Sequence, residues 1–513
     1  MSMAGLDLGY GKRAIFDRPA VADRLATSST DEAAAILQAA LEHGRSKIAA
    51  RIAAEPARGR VHAEATASLT DQLVGLAFEH AATRLHPNPN PTAAERIALV
   101  ALGGYGRGEM APFSDVDLMF LAPHPRTPWC EQVVEATLYL LWDLKLKVGQ
   151  AFRTLPELLA LARSDMTVRT AMLESRFLCG DQALYAEAAS RFRGEIVAGS
   201  TAEYVAAKLN ERNERHLKMG GSRYVVEPNV KNGKGALRDL HTLYWIGKYV
   251  HGVSSPAALV GAGLLTAAES RRFDRAERFF WSVRCHLHLL SGRAEERLGF
   301  DLQRQIASAM HYADRPGKSA VERFMQFYFL QAKIVGDLTG LFLAQLDEQL
   351  GVRGRLFALP TFLRRRPARL HGFVLDRGRL SILRDDYLSE QPLRLLELFA
   401  IAAREELEIH PTAMRAATRD SKLVDSLRDD PAANSLFLEV LTNGKSGEVV
   451  LRWMNEAGVF GRFVPDFARV VAQMQFDMYH HYTVDEHTIR AIGLLGRIES
   501  GELAEDHPLA TAL

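Results

Sequence analysis

An amphipathic, Ala-rich stretch follows Ser29-Thr30-Asp31-Glu32, where a Ser cap with Glu three residues on satisfies free amide hydrogens reciprocally. This predicts helices to about residue 85. The run His86-Pro87-Asn88-Pro89-Asn90-Pro91 cannot continue them, because each Pro lacks an amide hydrogen and pushes the preceding residue out of the α region. Immediately afterwards Ile97-Ala98-Leu99-Val100-Ala101-Leu102 reads as a buried strand that stops at Gly103-Gly104. Further strands are predicted at 116–121 and 146–154, with a helix over 128–144 between them. From 155 to 349 strand signals nearly vanish while helical spacing persists, as in Leu237, Leu240, Leu243, Tyr244 and Ile246. The alternation Phe373-Leu375 and Leu380-Ile382 about Asp376-Arg377-Gly378 predicts a small hairpin, and helices resume by Pro392. The fold class is therefore α+β and mostly helical. Its units are an N-terminal helical segment (1–85), an α/β domain (86–185), a helical domain (186–350), a helical region with a hairpin (351–470) and a final segment (471–513).

Length and composition agree with several units: 513 residues are too many for one core, and 47% hydrophobic with 24% charged residues is ordinary for a globular protein. The 63 basic and 62 acidic residues leave a net charge of +1, so composition points to no nucleic-acid partner. Arg364-Arg365-Arg366 reads as a solvated loop face. Three scattered cysteines form no Cys-x-x-Cys pair, which fits a reducing cytoplasm. With no leader pattern and no run of about 18 apolar residues, neither export nor a membrane span is predicted.

The chemistry concentrates in residues 100–121. Asp115 and Asp117 lie two apart at the start of a strand, so both side chains leave one face and can converge on a cation. Carboxylate pairs of this kind suit Mg²⁺, which favours carboxylate, water and phosphate oxygens. Gly103 and Gly104 allow backbone amides to approach a triphosphate, and Ser114 and Arg107 add donors. Each piece alone is commonly structural; their order is informative. Gly104-Tyr105-Gly106-Arg107-Gly108 lacks the glycine spacing of a dinucleotide fold, and Gly444-Lys445-Ser446 lacks the rest of a P-loop and reads as a surface turn.

A strand, Gly-Gly, ten intervening residues, Ser before Asp-x-Asp and a second strand together resemble the DNA polymerase β-like nucleotidyltransferase fold. Within it, Gly103-Gly104-Tyr105-Gly106-Arg107-Gly108-Glu109, Glu174 to Asp181, Glu227 to His241 and Phe300 to Ala307 resemble the bacterial PII uridylyltransferase/uridylyl-removing family. The resemblance implies transfer of UMP from UTP to a tyrosine of the PII signalling protein, with Asp115 and Asp117 holding Mg²⁺. The superfamily's usual third carboxylate is missing from Val148-Gly149-Gln150-Ala151-Phe152-Arg153, leaving Asp165 and Glu174 as nearby candidates. The central motif has two readings. Arg238, Asp239 and His241 form a helix-start ion network, or Glu227 to Arg238 lines the nucleotide cleft with Lys231 or Arg238 on phosphate.

His480-His481-Tyr482-Thr483-Val484-Asp485-Glu486-His487 looks like the opening of an HD-type phosphohydrolase domain, which implies His487 as a first metal ligand. In the family that domain removes UMP from PII when glutamine is plentiful. No His-Asp dipeptide follows before Leu513, and nothing corresponds to the family's glutamine-sensing ACT domains, so the expectation is a truncated chain without the hydrolase activity. It also expects a final helix with exposed Ile489 and Leu494. The alternatives are a glutamine synthetase adenylyltransferase, a tRNA nucleotidyltransferase, and a non-catalytic module that binds PII or nucleotide.

Overall fold

In the computed structural model, which describes residues 15–350, 369–376, 378–474 and 482–512, three helices open the chain: α1 (Arg18–Ala26), α2 (Thr30–Ala54) and α3 (Gly59–His80). The predicted cap forms: Ser29 Oγ accepts from the Glu32 amide at 3.4 Å, and Glu32 Oε2 accepts from the Ser29 amide at 2.8 Å. Beyond the proline run come β1 (Ala98–Ala101), the one-turn α4 (Gly103–Gly106), β2 (Val116–Ala122), α5 (Pro128–Asp143) and β3 (Val148–Thr154). They are followed by α6 (Leu155–Ser164), α7 (Met166–Leu173), β4 (Arg176–Gly180), α8 (Gln182–Phe192) and α9 (Thr201–Lys218). The helical continuation is α10 (Leu237–His251), α11 (Ala267–Ser291), α12 (Phe300–Ala309) and α13 (Ala320–Leu350). The chain is thus mostly helical around small sheets, an α+β arrangement.

The main sheet has the order β3-β2-β1-β4, with β1 antiparallel to both neighbours and β2 parallel to β3. Alternation along the strands gives the sheet two dry faces. Leu99, Ala101, Leu118 and Phe120 join a core built with α3, α5 and α10–α13. Ala98, Val100, Met119 and Leu121 pack on the other side against Leu158 and Leu159 of α6 and Leu184 and Ala188 of α8.

The strand β4 corrects the expectation of a strand-free stretch after residue 155. It is short and half-buried, without the alternation that marks a strand, and its pairing with β1 is long-range, so local pattern could not show it. Its ends are held by tertiary contacts: Arg176 bonds Asp71 of α3 at 2.8 Å, and Gly180 (φ +87°) sits where a Cβ would lie 2.2 Å from the Ile97 carbonyl.

The expected hairpin forms, β6 (Phe373–Asp376) with β7 (Arg379–Ser381), and a short β5 (Arg369–Leu370) adds an edge the sequence did not show. Phe373 and Leu380 belong to a second core that extends through the helices to Ile489. The Ile489 side chain is therefore buried, against expectation, because the helix Val484–Glu499 packs on the helix Gly447–Ala457; Leu494 is exposed as expected. Gly444-Lys445-Ser446 forms a surface turn in which the Asn443 side chain accepts from the Lys445 and Ser446 amides. The basic run Arg364-Arg365-Arg366 lies outside the described residues.

The N-terminal helices meet the rest most tightly where α3 crosses α11. At Gly59 a Cβ would lie 1.9 Å from the Ser282 amide nitrogen, so α3 and α11 touch backbone to backbone. Gly59→Ala is expected to destabilise the protein by about 1–3 kcal/mol through overpacking, read as a lowered thermal midpoint. Ser282→Ala, which removes the bond from the Gly59 amide at 3.0 Å and the hydroxyl's own bond to the Arg278 carbonyl at 3.0 Å, should cost about 1 kcal/mol.

Candidate nucleotide site

Where β1 ends, the Leu102 amide donates to the Asp117 carbonyl at 3.0 Å, and the chain turns at Gly103 (φ +57°) into α4. This sets the glycine turn beside the start of β2. Asp115 and Asp117 flank the buried Val116 and are both exposed, so they share a face as their spacing predicts. Asp117 stands between two glycines. A Cβ at Gly103 would lie 3.3 Å from Asp117 Oδ2, and one at Gly149, its register partner on β3, would lie 2.6 Å from Oδ1. Both oxygens consequently keep open space. The cleft walls desolvate Asp117 and the Asp115 charge repels it, which together raise its pKa above the usual carboxylate value.

The loop from α4 to β2 is pinned at three points. The Met110 amide donates to the Ala63 carbonyl at 3.1 Å, the Ala111 amide to Ser114 Oγ at 3.0 Å, and the Phe113 amide to His288 Nδ1 at 3.2 Å. Ser114 thus braces its own loop while still lining the cleft. Arg107 also lines the cleft, but its guanidinium is committed: Nη1 bonds both Glu174 oxygens at 2.6 and 2.7 Å, and Nε bonds Glu109 at 3.2 Å. Burial opposes the charge, yet the two carboxylates outweigh it and raise the arginine pKa. Its charge is already balanced, so the structure places it as a cross-link under the glycine turn rather than as a spare phosphate donor.

Neither acidic candidate for the third carboxylate stands free. Glu174 is buried, paired with Arg107, and accepts from Trp245 Nε1. Asp165 caps α7, accepting from the Thr167 amide at 2.6 Å and the Val168 amide at 3.3 Å, and the Thr167 bond leads in lowering its pKa. The position on β3 opposite Asp117 is Gly149.

The opposite wall of the cleft, which encloses about 880 Å³, comes from the central motif and from α9–α11. Asn229 Oδ1 accepts from the Lys231 and Asn232 amides at 3.1 and 2.6 Å, and the Arg238 amide donates to the Lys231 carbonyl at 2.8 Å. Both readings of the motif hold in part. Asp239 is structural: it is buried, bonded to Arg215, to His216 Nε2 at 2.9 Å and to the Gly235 amide at 2.8 Å. Lys231, Arg238 and His241 line the cleft. His241 is kept neutral by burial and by Arg107, Arg238, Arg284 and Lys231 around it.

Sequence reasoning missed Arg284 and Glu296, which carry no motif and meet the cleft only through folding. Arg284 Nε and Nη2 bond Glu296 at 3.0 and 2.6 Å, and Lys231 Nζ lies 4.0 Å from the same carboxylate. It also passed over Gly149, although an isolated glycine inside a strand is a recognised sign of close approach. The second predicted site lies elsewhere. His487 is exposed on the helix Val484–Glu499, next to the buried Asp485 and Glu486. Among the described residues the one grouping of three potential metal ligands is Glu109, His241 and Glu277, which does not include it. His480 lies outside the described residues. Tyr482 bridges to Val225, and the Thr483 amide donates to the Tyr224 carbonyl at 3.3 Å.

Burial alone would raise the Glu296 carboxyl, but the His288 ring 3.6 Å away and the bonds from Arg284 outweigh it and hold it at about 2. A carboxyl lower in the folded than in the unfolded chain contributes stability above about pH 4.3, lost as pH falls through the folded value. The contribution is on the order of 3 kcal/mol. Glu296→Gln should therefore lower the thermal midpoint at pH 7, and its gap from the parent protein should narrow steadily from pH 4 to pH 2.

Residues 203–343 match the family described as GlnD PII-uridylyltransferase, and residues 373–463 match the uridylyltransferase GlnD third domain. Curated relatives named bifunctional uridylyltransferase/uridylyl-removing enzyme are similar over almost the whole chain. That of Novosphingobium aromaticivorans is 57% identical over 508 residues, which is 98% of this chain and 56% of the relative. Those of Erythrobacter litoralis and Rhodospirillum rubrum are 55% and 49% identical, over 93% and 97% of this chain and 52% and 54% of theirs. The chain spans about half the length of the curated relatives it matches. The chain is thus similar to the PII-uridylyltransferase family in two matched segments, and to its curated relatives over almost all of its own length.

Proposed function

We propose that the cleft transfers UMP from UTP to a tyrosyl hydroxyl of the PII protein and releases pyrophosphate. The observation that carries this reading is the pair Asp115 and Asp117, open on one face beside the Gly103 turn and opposed across the cleft by Lys231 and Arg238. The residues fit a divalent cation. Two carboxylates share a face, their repulsion raises the Asp117 pKa, and Gly103 and Gly149 leave room around the oxygens. Mg²⁺ held there would neutralise phosphate charge and steady the reacting phosphorus.

The remaining steps belong to the chain's own groups. The glycine turn brings backbone close to the triphosphate, and the pinned loop 108–114 keeps Asp115 in place. In the transfer, the tyrosyl oxygen forms a bond to the α-phosphorus as the bond from phosphorus to the α,β-bridging oxygen breaks. Pyrophosphate leaves with that electron pair, and the phenolic proton passes to solvent. Preorganised positive charge around the phosphates supplies most of the stabilisation.

The same reading makes the sheet and its glycine turn a polymerase β-like transferase unit, the cytoplasm the compartment and glutamine a regulator. It takes the helix Val484–Glu499 as the opening of an HD-type unit with His487 as a prospective ligand. No described helix is long and apolar enough to cross a membrane.

Incubated with PII, Mg²⁺ and each of the four nucleoside triphosphates in turn, the protein should label PII from UTP. Asp117→Asn should lower the rate by about 10³-fold. Labelling from ATP in preference would replace the reading with adenylyl transfer, and equal silence of parent and variant would remove the catalytic reading altogether.

A further inference from the structure

We infer that Lys231 and Arg238 form the subsite for the departing pyrophosphate, so that the helical half of the chain, rather than the glycine turn alone, grips the leaving group. The inference rests on the transferase reading and deepens it.

It follows from asking which cations along the cleft have charge to spare. Arg107 is spent on Glu174 and Glu109, Arg215 on Asp239, Lys208 on Glu211 at 2.6 Å, and Arg284 on Glu296. Arg238 differs. It is half-buried, and among the described residues no carboxylate lies within 4 Å of it; its guanidinium instead stacks 5.3 Å from the centre of the Trp245 ring. That ring is fixed in turn by its bond to Glu174. Lys231 has only a 4.0 Å approach to Glu296, whose oxygens Arg284 already holds through three bonds.

A half-buried cation without a full counter-charge is costly unless an anion arrives. Both groups show that cost. Burial leads in lowering Lys231 to about 8, with Arg284 and Arg238 adding to it, and burial with Arg107 lowers Arg238 to about 10. Lys231 is also near enough to the aspartates for its charge to act on Asp117 and for that of Asp115 to act on it. The Arg238 amide bond to the Lys231 carbonyl couples the two segments, and the Asn229 side chain holds the turn that carries Lys231. Facing the aspartates across the cleft, they stand where the distal phosphates of a triphosphate must lie when its α-phosphorus is at Asp115 and Asp117. Negative charge grows on those phosphates as the bond to the α-phosphorus breaks, so positive charge fixed there favours the transition state.

Pyrophosphate and UMP, each with Mg²⁺, serve as inhibitors of UTP turnover by the parent protein and by Lys231→Ala, Lys231→Met, Arg238→Ala and Arg238→Lys. Each loss of charge should weaken pyrophosphate inhibition by about tenfold or more, while UMP, which lacks the distal phosphates, inhibits within twofold of the parent. Arg238→Lys should recover part of the loss. Circular dichroism and the thermal midpoint establish that a variant is folded, and Lys231→Met keeps the aliphatic stem if Lys231→Ala does not fold. Pyrophosphate inhibition unchanged in folded variants would overturn the inference, as would equal weakening of UMP and pyrophosphate. A parent protein with no UTP turnover would instead remove the transferase reading on which it rests.

Discussion

The cleft depends on a single buried carboxylate. Glu174 lies just before the last strand of the sheet, and from there it binds Arg107 of the glycine turn and Trp245 of the helical half. Removing one partner of a buried ion pair leaves the other desolvated and uncompensated, which typically costs about 3–5 kcal/mol. Glu174 thus fixes the distance between two walls contributed by sequence segments on either side of it, 67 residues before and 71 after. It also sets the ring on which Arg238 rests, so that positioning passes from a buried carboxylate to a cation that lines the cleft.

The two walls divide the chemistry between them. The sheet contributes carboxylates whose mutual repulsion calls for a cation, and the helical wall contributes cations whose burial calls for an anion. Each half is electrostatically incomplete alone. This division also explains why most charged side chains in the cleft are unavailable for binding: four of its cations already have carboxylate partners, and the balance of their charges keeps the architecture from repelling itself.

Much of this was legible in the sequence. Asp115-Val116-Asp117 announced itself because strand periodicity is local: residues two apart share a face whatever the rest of the chain does. The turn at Gly103, the helix cap at Ser29 and the hairpin at Gly378 were readable for the same reason. The strand β4 was not, since its supports, pairing with β1 and the Arg176 bond to Asp71, come from segments about eighty to a hundred residues earlier. Arg107 was legible as a cleft residue and not as a paired one, because its partner Glu174 arrives through folding. Arg284 and Glu296 had no signal at all. Ile489 was expected to be bare because a truncated chain would leave its helix without partners; the helix Gly447–Ala457, a long-range partner, supplies one.

Gly149 carries a consequence for how such a protein tolerates change. It has no functional group, contacts no presumed substrate and sits on a strand next to the one that bears the aspartates, yet any side chain there meets an oxygen of Asp117. Substitution would crowd the Asp117 carboxylate while leaving every charged residue of the cleft in place. A survey of variants sorted by chemical character would file residue 149 as inert scaffold, whereas its contribution is the empty volume it keeps beside a charge.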